Sequence, residues 1–263
     1  MMKTDTLDQI AYELYKAERD VSEVTKFVDQ YPELTVETAY NIQDKLIELK
    51  CMHEQTTVSG LKLGLTSKAK QQMMGVHEPS YGVLLANMEL NAQLPISLKS
   101  LIHPKIEPEI AFVFKQDLFG PIVTVAQVLA ATEYIAPAME IIDSRYLNFN
   151  FTLPDVIADN SSSSRYIVSS EKYAVNEVDL VNMGCIFTQN DDIFATSTAG
   201  SVMGHPARAI AWMANKLIAR GQYVRAGDIV LSGALTGSAT MHAGDNFSVS
   251  FDGMESLIIQ VDQ

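Results

Sequence analysis

The chain has 263 residues, 47% of them hydrophobic and 19% charged, with 32 Asp and Glu against 19 Lys and Arg for a formal net charge of −13. That length supports a sizeable core, and the acidic balance disfavours nucleic-acid binding, because phosphate neutralisation needs clustered Lys and Arg. Two cysteines, Cys51 and Cys185, lie outside any CxxC motif and cannot build a disulfide framework. Reduced thiols in a cytoplasmic protein are the expectation. The opening MMKTDTLDQI places acids where a secretory leader would be apolar. The longest uncharged runs, such as 118–132, contain Gly, Pro, Gln and Thr and fall short of the ~20 apolar residues of a membrane span.

The first fifty residues read as helical. Thr6 and Gln9 fit a capping box, and Leu7, Ile10, Ala11 and Leu14 share one face. Tyr31-Pro32 breaks that pattern. A second helix is expected to start near Thr35, with Ala39, Ile42, Leu46 and Leu49 inward. From Val58 the texture changes to short apolar runs bounded by Gly, Pro, Asn or Asp. Strands are expected near 58–63, 81–85, 109–114, 134–142, 165–168, 183–189, 228–232, 246–251 and 257–261, and helices near 67–74, 125–131 and 206–220. Pro206 suits a helix start and Gly221 a stop. Ala-Gly-Asp occurs twice, at 226–228 and 243–245, as a turn device before a strand. Regular βα alternation is absent, so the fold class is α+β, a mixed β-rich core with a few helices. The organisation read from this texture is a helical segment over residues 1–57, acting as a cap or oligomerisation surface, and a β-rich catalytic core over 58–263.

The clearest chemical feature is Glu107-Pro108-Glu109 at the start of an apolar run. In an extended chain alternate side chains point the same way, so the two carboxylates share a face. Their repulsion raises one pKa unless a cation sits between them. Glu140, inside the apolar YIAPAMEIID, is a third acid set for burial, which is costly unless it is paired or bound to metal. Three carboxylates without histidine favour a hard cation, magnesium or manganese before zinc. Spacing alone leaves open a solvated pair on an edge strand with Glu140 in a salt bridge.

Lys62, in GLKLG, either points outward from a strand or aims into that acidic site as a substrate-binding or proton-transferring group. Thr66 and Ser67 stand at a helix start, as hydroxyl caps or beside N–H groups able to receive an anion. The hydroxyl-rich run at 158–165 reads as a ligand-wrapping loop or a solvated turn. Arg145 and Arg165 are expected to pair with Asp143 or Asp159. His205, before Pro206, reads as structural. Tyr81, Val76 and Met74 are wall or core residues. The sequence has no GxSxG elbow, no GxxxxGK[ST] loop and no HExxH.

Taken in order, GLKLGLTSKAKQQMMGVHEPSYG, LIHPKIEPEIAFV, MEIIDSRYLNFNF, VIADNSSSSRY and MGHP resemble the hydratase/decarboxylase branch of the fumarylacetoacetate hydrolase superfamily. The resemblance implies a mixed β-barrel-like roll with a smaller helical N-terminal part. It implies magnesium or manganese held by Glu107, Glu109 and Glu140, a catalytic Lys62, and Ser161 as a substrate-binding residue, to which the residue pattern itself adds Lys62 and Thr66 as substrate-binding candidates. The implied activity is metal-dependent decarboxylation of 2-oxo-3-hexenedioate, a 2-oxo dicarboxylate of catechol meta-cleavage. The alternatives are 2-oxopent-4-enoate hydration, acylpyruvate hydrolysis and a non-catalytic metal-binding subunit. The hydratases of this branch carry an Asp in a segment that here reads Pro79-Ser80-Tyr81-Gly82, which argues against hydration. The implied partners are further copies of the chain and the hydratase itself.

Overall fold

The alternating apolar runs become two sheets, and the helical runs share one core with them, in a computed structural model that describes residues 2–73 and 75–263. The N-terminal part holds α1 (Thr4–Arg19), α2 (Phe27–Gln30) and α3 (Val36–Glu54). There follow β1 (Val58–Gly64), α4 (Lys68–Met73), β2 (Ser80–Leu85), β3 (Lys105–Phe114), α5 (Val125–Ala131), β4 (Thr132–Ile142), α6 (Leu153–Ala158) and β5 (Ser163–Val168). The chain then continues through β6 (Gly184–Gln189), β7 (Asp192–Thr198), α7 (Pro206–Ala219), β8 (Ile229–Leu231), β9 (Ala239–Thr240), β10 (Asn246–Phe251) and β11 (Leu257–Gln260).

Most expected elements appear, with four departures. The Thr6–Gln9 capping box does not form: α1 starts a turn earlier from Lys3, without a side-chain cap, and the Thr6 N–H already donates to the Lys3 carbonyl at 3.0 Å. Strand β3 begins four residues before the expected 109 because its ladder with β4 runs on to Lys105–Ile142. Strands β7 and β9 and helices α2 and α6 have no counterpart among the expected elements. The expected helix 67–74 appears as α4, with Met74 outside the described residues. Elsewhere the local signals hold. Thr35 caps α3 by accepting from the Thr38 N–H, and His205 caps α7 by accepting on Nδ1 from the Ala207 N–H at 3.1 Å. Both Ala-Gly-Asp turns place their glycine at positive φ, +91° and +82°.

The larger sheet runs β2-β1-β8-β3-β4-β5, with β9 added beside β3. The smaller runs β11-β10-β6-β7. Among the strands of the described residues, only β1 and β8 pair in parallel. The larger sheet curls until its ends meet: Ser59 Oγ lies 3.0 Å from the Tyr166 hydroxyl, and the Leu90 N–H donates to the Tyr166 carbonyl at 2.9 Å. That closure makes the β-barrel-like roll. Partners in a ladder point to one side of a sheet, so its two faces can be read from the register. The outer face carries Leu61, Leu63, Ile106, Ile110, Phe112, Met139, Ile141 and Ile167 into the main core with the helices. The inner face carries Leu84, Ala111, Ala138, Tyr166 and Leu231, a second and smaller apolar cluster. Beside that cluster, on the same face, lie Lys62, Glu107, Glu109 and Glu140.

The N-terminal helices are pinned to this roll by polar contacts. Gln43 donates to the Tyr81 and Ile157 carbonyls, both at 3.0 Å. Asp155 accepts from the Phe27 N–H, while Lys50 and Glu18, 2.7 Å apart, tie α3 to α1 within the N-terminal part. Among the described residues no helix is long and apolar enough to cross a membrane.

Candidate metal centre

The register of β3 on β4 builds the acidic cluster. Glu107 lies directly across from Glu140, and Glu109 follows on the same face two residues along. Ligand-capable oxygens of the three lie within 4.8 Å of one another. The group is sealed from water: Glu107 is 7% exposed, Glu109 and Glu140 are 0%, and Lys62 is 2%. The solvated edge-strand alternative therefore fails on burial.

Lys62 comes from β1, two strands away, and its ammonium closes the cluster. Its Nζ lies 3.1 Å from Glu140 Oε2 and donates to the Ser161 carbonyl at 3.1 Å. Burial, then the charge of Glu140, raises the Glu109 pKa well above the usual carboxylate range. Burial likewise raises Glu140, against the pull of Lys62. Burial alone would lower the Lys62 pKa, but the charges of Glu140, Glu109 and Glu107 outweigh it and leave the ammonium favoured.

Whether these residues suit a metal can be judged from their oxygens. Glu109 Oε2 accepts from the Gly233 N–H at 2.7 Å, while Glu109 Oε1 and Glu140 Oε1 are buried with no hydrogen-bond partner. Buried carboxylate oxygens without donors are costly. Three carboxylates brought within 4.8 Å of one another also repel when ionised, which a cation between them relieves. An all-oxygen donor set of this kind suits magnesium or a similar hard ion. The residues present fit the group.

The other candidate residues fall around the same cluster. Thr66 is buried and packs on Gly233, where an added Cβ would lie 2.4 Å from Thr66 Oγ1, so it borders the Glu109 end. Ser161 borders the Lys62 end. Its hydroxyl lies 3.0 Å from both the Tyr81 carbonyl and Ser80 Oγ. A carbonyl can only accept, so Ser161 donates to it and accepts from Ser80. The Tyr81 ring instead stacks on Tyr40 at 4.3 Å, in the core, and Val76 borders a surface groove with Phe151 and Leu153. Arg145 pairs with Asp159 and donates to the Ser163 carbonyl, which braces the hydroxyl-rich run from inside. Arg165 departs from expectation, donating to the Ser164 carbonyl and Ser100 Oγ.

Three participants were not singled out from the sequence: Gly82, Asn160 and Gly233. Asn160, Ser161 and Ser162 all have positive φ, 50°, 53° and 56°. The Asp-Asn-Ser string was the available signal, since Asn tolerates that region better than other side-chain-bearing residues.

A family model for the fumarylacetoacetate hydrolase C-terminal domain matches residues 62–262, which include Lys62 and all three glutamates. The chain belongs to the fumarylacetoacetate hydrolase family. Within this family of enzymes it is 39% identical over 260 residues to the 4-oxalocrotonate decarboxylase of Pseudomonas sp. strain CF600, covering 98% of each chain. It is 38% identical over 249 residues to the 2-hydroxyhexa-2,4-dienoate hydratase of Comamonas testosteroni, covering 94% of each. The solved 4-oxalocrotonate decarboxylase of Pseudomonas putida G7, complexed with magnesium and adipate, superposes with a TM-score of 0.95 at 34% identity, over 99% of both chains. The curled sheet and its flanking helices are thus the fold of this family.

Proposed function

We propose that this enzyme removes carbon dioxide from 2-oxo-3-hexenedioate in a reaction that depends on a divalent cation, giving 2-hydroxypenta-2,4-dienoate in the catechol meta-cleavage route of aromatic catabolism. The observation that carries the reading is the buried Glu107–Glu109–Glu140 cluster facing Lys62, in which Glu109 Oε1 and Glu140 Oε1 have no hydrogen-bond partner. The full-length likeness to decarboxylases, one of them holding magnesium and a six-carbon dicarboxylate, supports it.

In this reading Glu107, Glu109 and Glu140 hold magnesium or manganese. The bound ion supplies Lewis acidity at the 2-oxo group and its neighbouring carboxylate. The bond to the far carboxylate breaks, and carbon dioxide departs. The released electron pair forms a new double bond, shifts the existing one and comes to rest on the 2-oxo oxygen. Lys62, ion-paired with Glu140 and donating to the Ser161 carbonyl, offers a further donor to the reacting chain. It stabilises the charge that develops there and serves as the proton donor. Thr66 and Ser161 border the substrate space at its two ends. The apolar inner face, with Ala111, Ala138 and Leu231, disfavours the charged far carboxylate relative to neutral carbon dioxide.

The second reading is hydration, favoured by the 38% identical hydratase. Against it, Ser80 stands where the hydratase pattern places an acid, and its hydroxyl is engaged with Ser161. Association with the hydratase that consumes the product, and self-assembly through residues 1–57, belong to the same proposal; co-purification and sedimentation test them. The deciding measurement is carbon dioxide release from 2-oxo-3-hexenedioate by metal-stripped protein before and after magnesium is added. Magnesium-dependent release supports the decarboxylase. No release from folded, metal-loaded protein, with water added to 2-hydroxypenta-2,4-dienoate instead, assigns the hydratase.

A further inference from the structure

We infer that Asn160 is a positioning residue for Lys62: its side-chain amide ties the left-handed turn Asn160–Ser162 to the edge of β2 and so fixes the Ser161 carbonyl that receives the Lys62 ammonium. The inference rests on the role proposed above for Lys62.

β2 is the outermost strand of its sheet, so one side of it lacks a neighbour. Asn160 takes the place of one. Its Oδ1 accepts from the Val83 N–H at 2.7 Å, and its Nδ2 donates to the Val83 carbonyl at 2.9 Å. One side chain thereby makes both bonds that a paired residue would make. Ser161, the next residue, donates to the Tyr81 carbonyl two residues along the same edge. The turn is thus stitched to β2 at two points.

The stitching matters because the turn is strained. Three consecutive residues with side chains occupy the left-handed region, at roughly 1–2 kcal/mol each. Such a turn persists only where its surroundings hold it. What it delivers is one acceptor: the Ser161 carbonyl, 3.1 Å from Lys62 Nζ. The strand beneath leaves room for this. Gly82 is the ladder partner of Lys62, and a Cβ there would lie 2.5 Å from the Asn160 carbonyl oxygen and 3.1 Å from Lys62 Cδ. The lysine stem therefore lies in a slot floored by Gly82 and roofed by the turn. With its stem confined, Glu140 and the Ser161 carbonyl set where the ammonium points. Release of the turn removes one of those two restraints and leaves the metal-binding carboxylates untouched.

The test compares Asn160→Asp, Asn160→Gly and Lys62→Met, each measured for carbon dioxide release from 2-oxo-3-hexenedioate, magnesium affinity by calorimetry, and thermal melting. Asn160→Asp keeps the shape but sets a carboxylate oxygen against the Val83 carbonyl. Asn160→Gly deletes the amide while permitting the left-handed backbone. For both, kcat should fall about 10- to 100-fold, the scale of a misplaced catalytic group, with KM and magnesium affinity within about threefold of the parent. A kcat within threefold of the parent in both variants overturns the inference. A loss of magnesium affinity matching the loss of kcat, or loss of a cooperative melt in both, also overturns it by assigning Asn160 to the fold alone. Lys62→Met separates the two claims. If it retains turnover, the proposed role of Lys62 fails; if it is inactive while the Asn160 variants are not, only the positioning inference fails.

Discussion

Glu140→Gln should abolish the stabilisation of the protein by magnesium without weakening the metal-free fold. Glu140 has two carboxylate neighbours within 4.8 Å and an ammonium at 3.1 Å. At an effective dielectric of 20, and with both neighbours ionised, each repulsion is worth at least about 3 kcal/mol and the attraction about 5 kcal/mol, so repulsion leads by about 1–2 kcal/mol. To this is added the cost of burying the charge, which glutamine avoids. The metal-free variant should therefore melt at or above the parent. Magnesium at 100 times its Kd stabilises the parent by about 2.7 kcal/mol. At about 2–4 °C per kcal/mol for chains near this size, that is a rise of roughly 5–11 °C. The variant should show less than about 2 °C at the same concentration. Differential scanning calorimetry, with and without magnesium, reads both quantities. An equal rise in parent and variant would remove Glu140 from the ligand set. A metal-free variant that melts far below the parent would mean that Glu140 serves mainly to hold Lys62.

Arg145→Ala should cost about 3–5 kcal/mol in urea unfolding, because it strands the fully buried Asp159 carboxylate; a loss below about 1 kcal/mol would contradict that account. Gly82→Ala should destabilise by about 1–3 kcal/mol and lower turnover, since its Cβ meets the Asn160 carbonyl oxygen; unchanged melting and turnover would show that the slot has slack. The Glu18 carboxyl is held down at about 2, because the charges of Lys50 and Arg145 outweigh the opposing effect of burial. Its folded pKa lies below the ordinary 4.5, so its stabilisation is present above pH 4.5 and is lost as the pH falls toward 2. Glu18→Gln should accordingly be less stable than the parent by about 2–3 kcal/mol at pH 7, and the gap should narrow through that window in pH-dependent unfolding.

The acids of the site were legible for local reasons. Glu107 and Glu109 have the two-residue period of a strand, and Glu140 is an acid in an otherwise apolar run. That Glu107 faces Glu140 was not legible, because register is a property of two strands at once. The long core strands announced themselves by apolar alternation, whereas β7, DIFATST, is exposed along much of its length and lacks that pattern. The Thr6 cap signal was present but lost to a helix that starts one turn earlier. The 160–164 run reads as polar, a ligand-wrapping loop or a solvated turn. It is buried because Arg145, the Asp159 carbonyl and the edge of β2 take up much of its hydrogen-bonding capacity. None of those partners is near it in sequence except Asp159.

The pairing of β3 with β4 has a consequence for how the chain acquires its shape. A slip of one residue along this ladder would turn every β3 side chain to the opposite face. Glu107 and Glu109 would then enter the main apolar core, and Pro108 with either Ile106 or Ile110, according to the direction of the slip, would take their places around Lys62. Such a chain could neither shelter its acids nor chelate. Under the metal role proposed above, magnesium uptake during refolding should report this one alignment, and a chain titrated with the ion as it folds should be drawn away from misaligned pairings toward the native one.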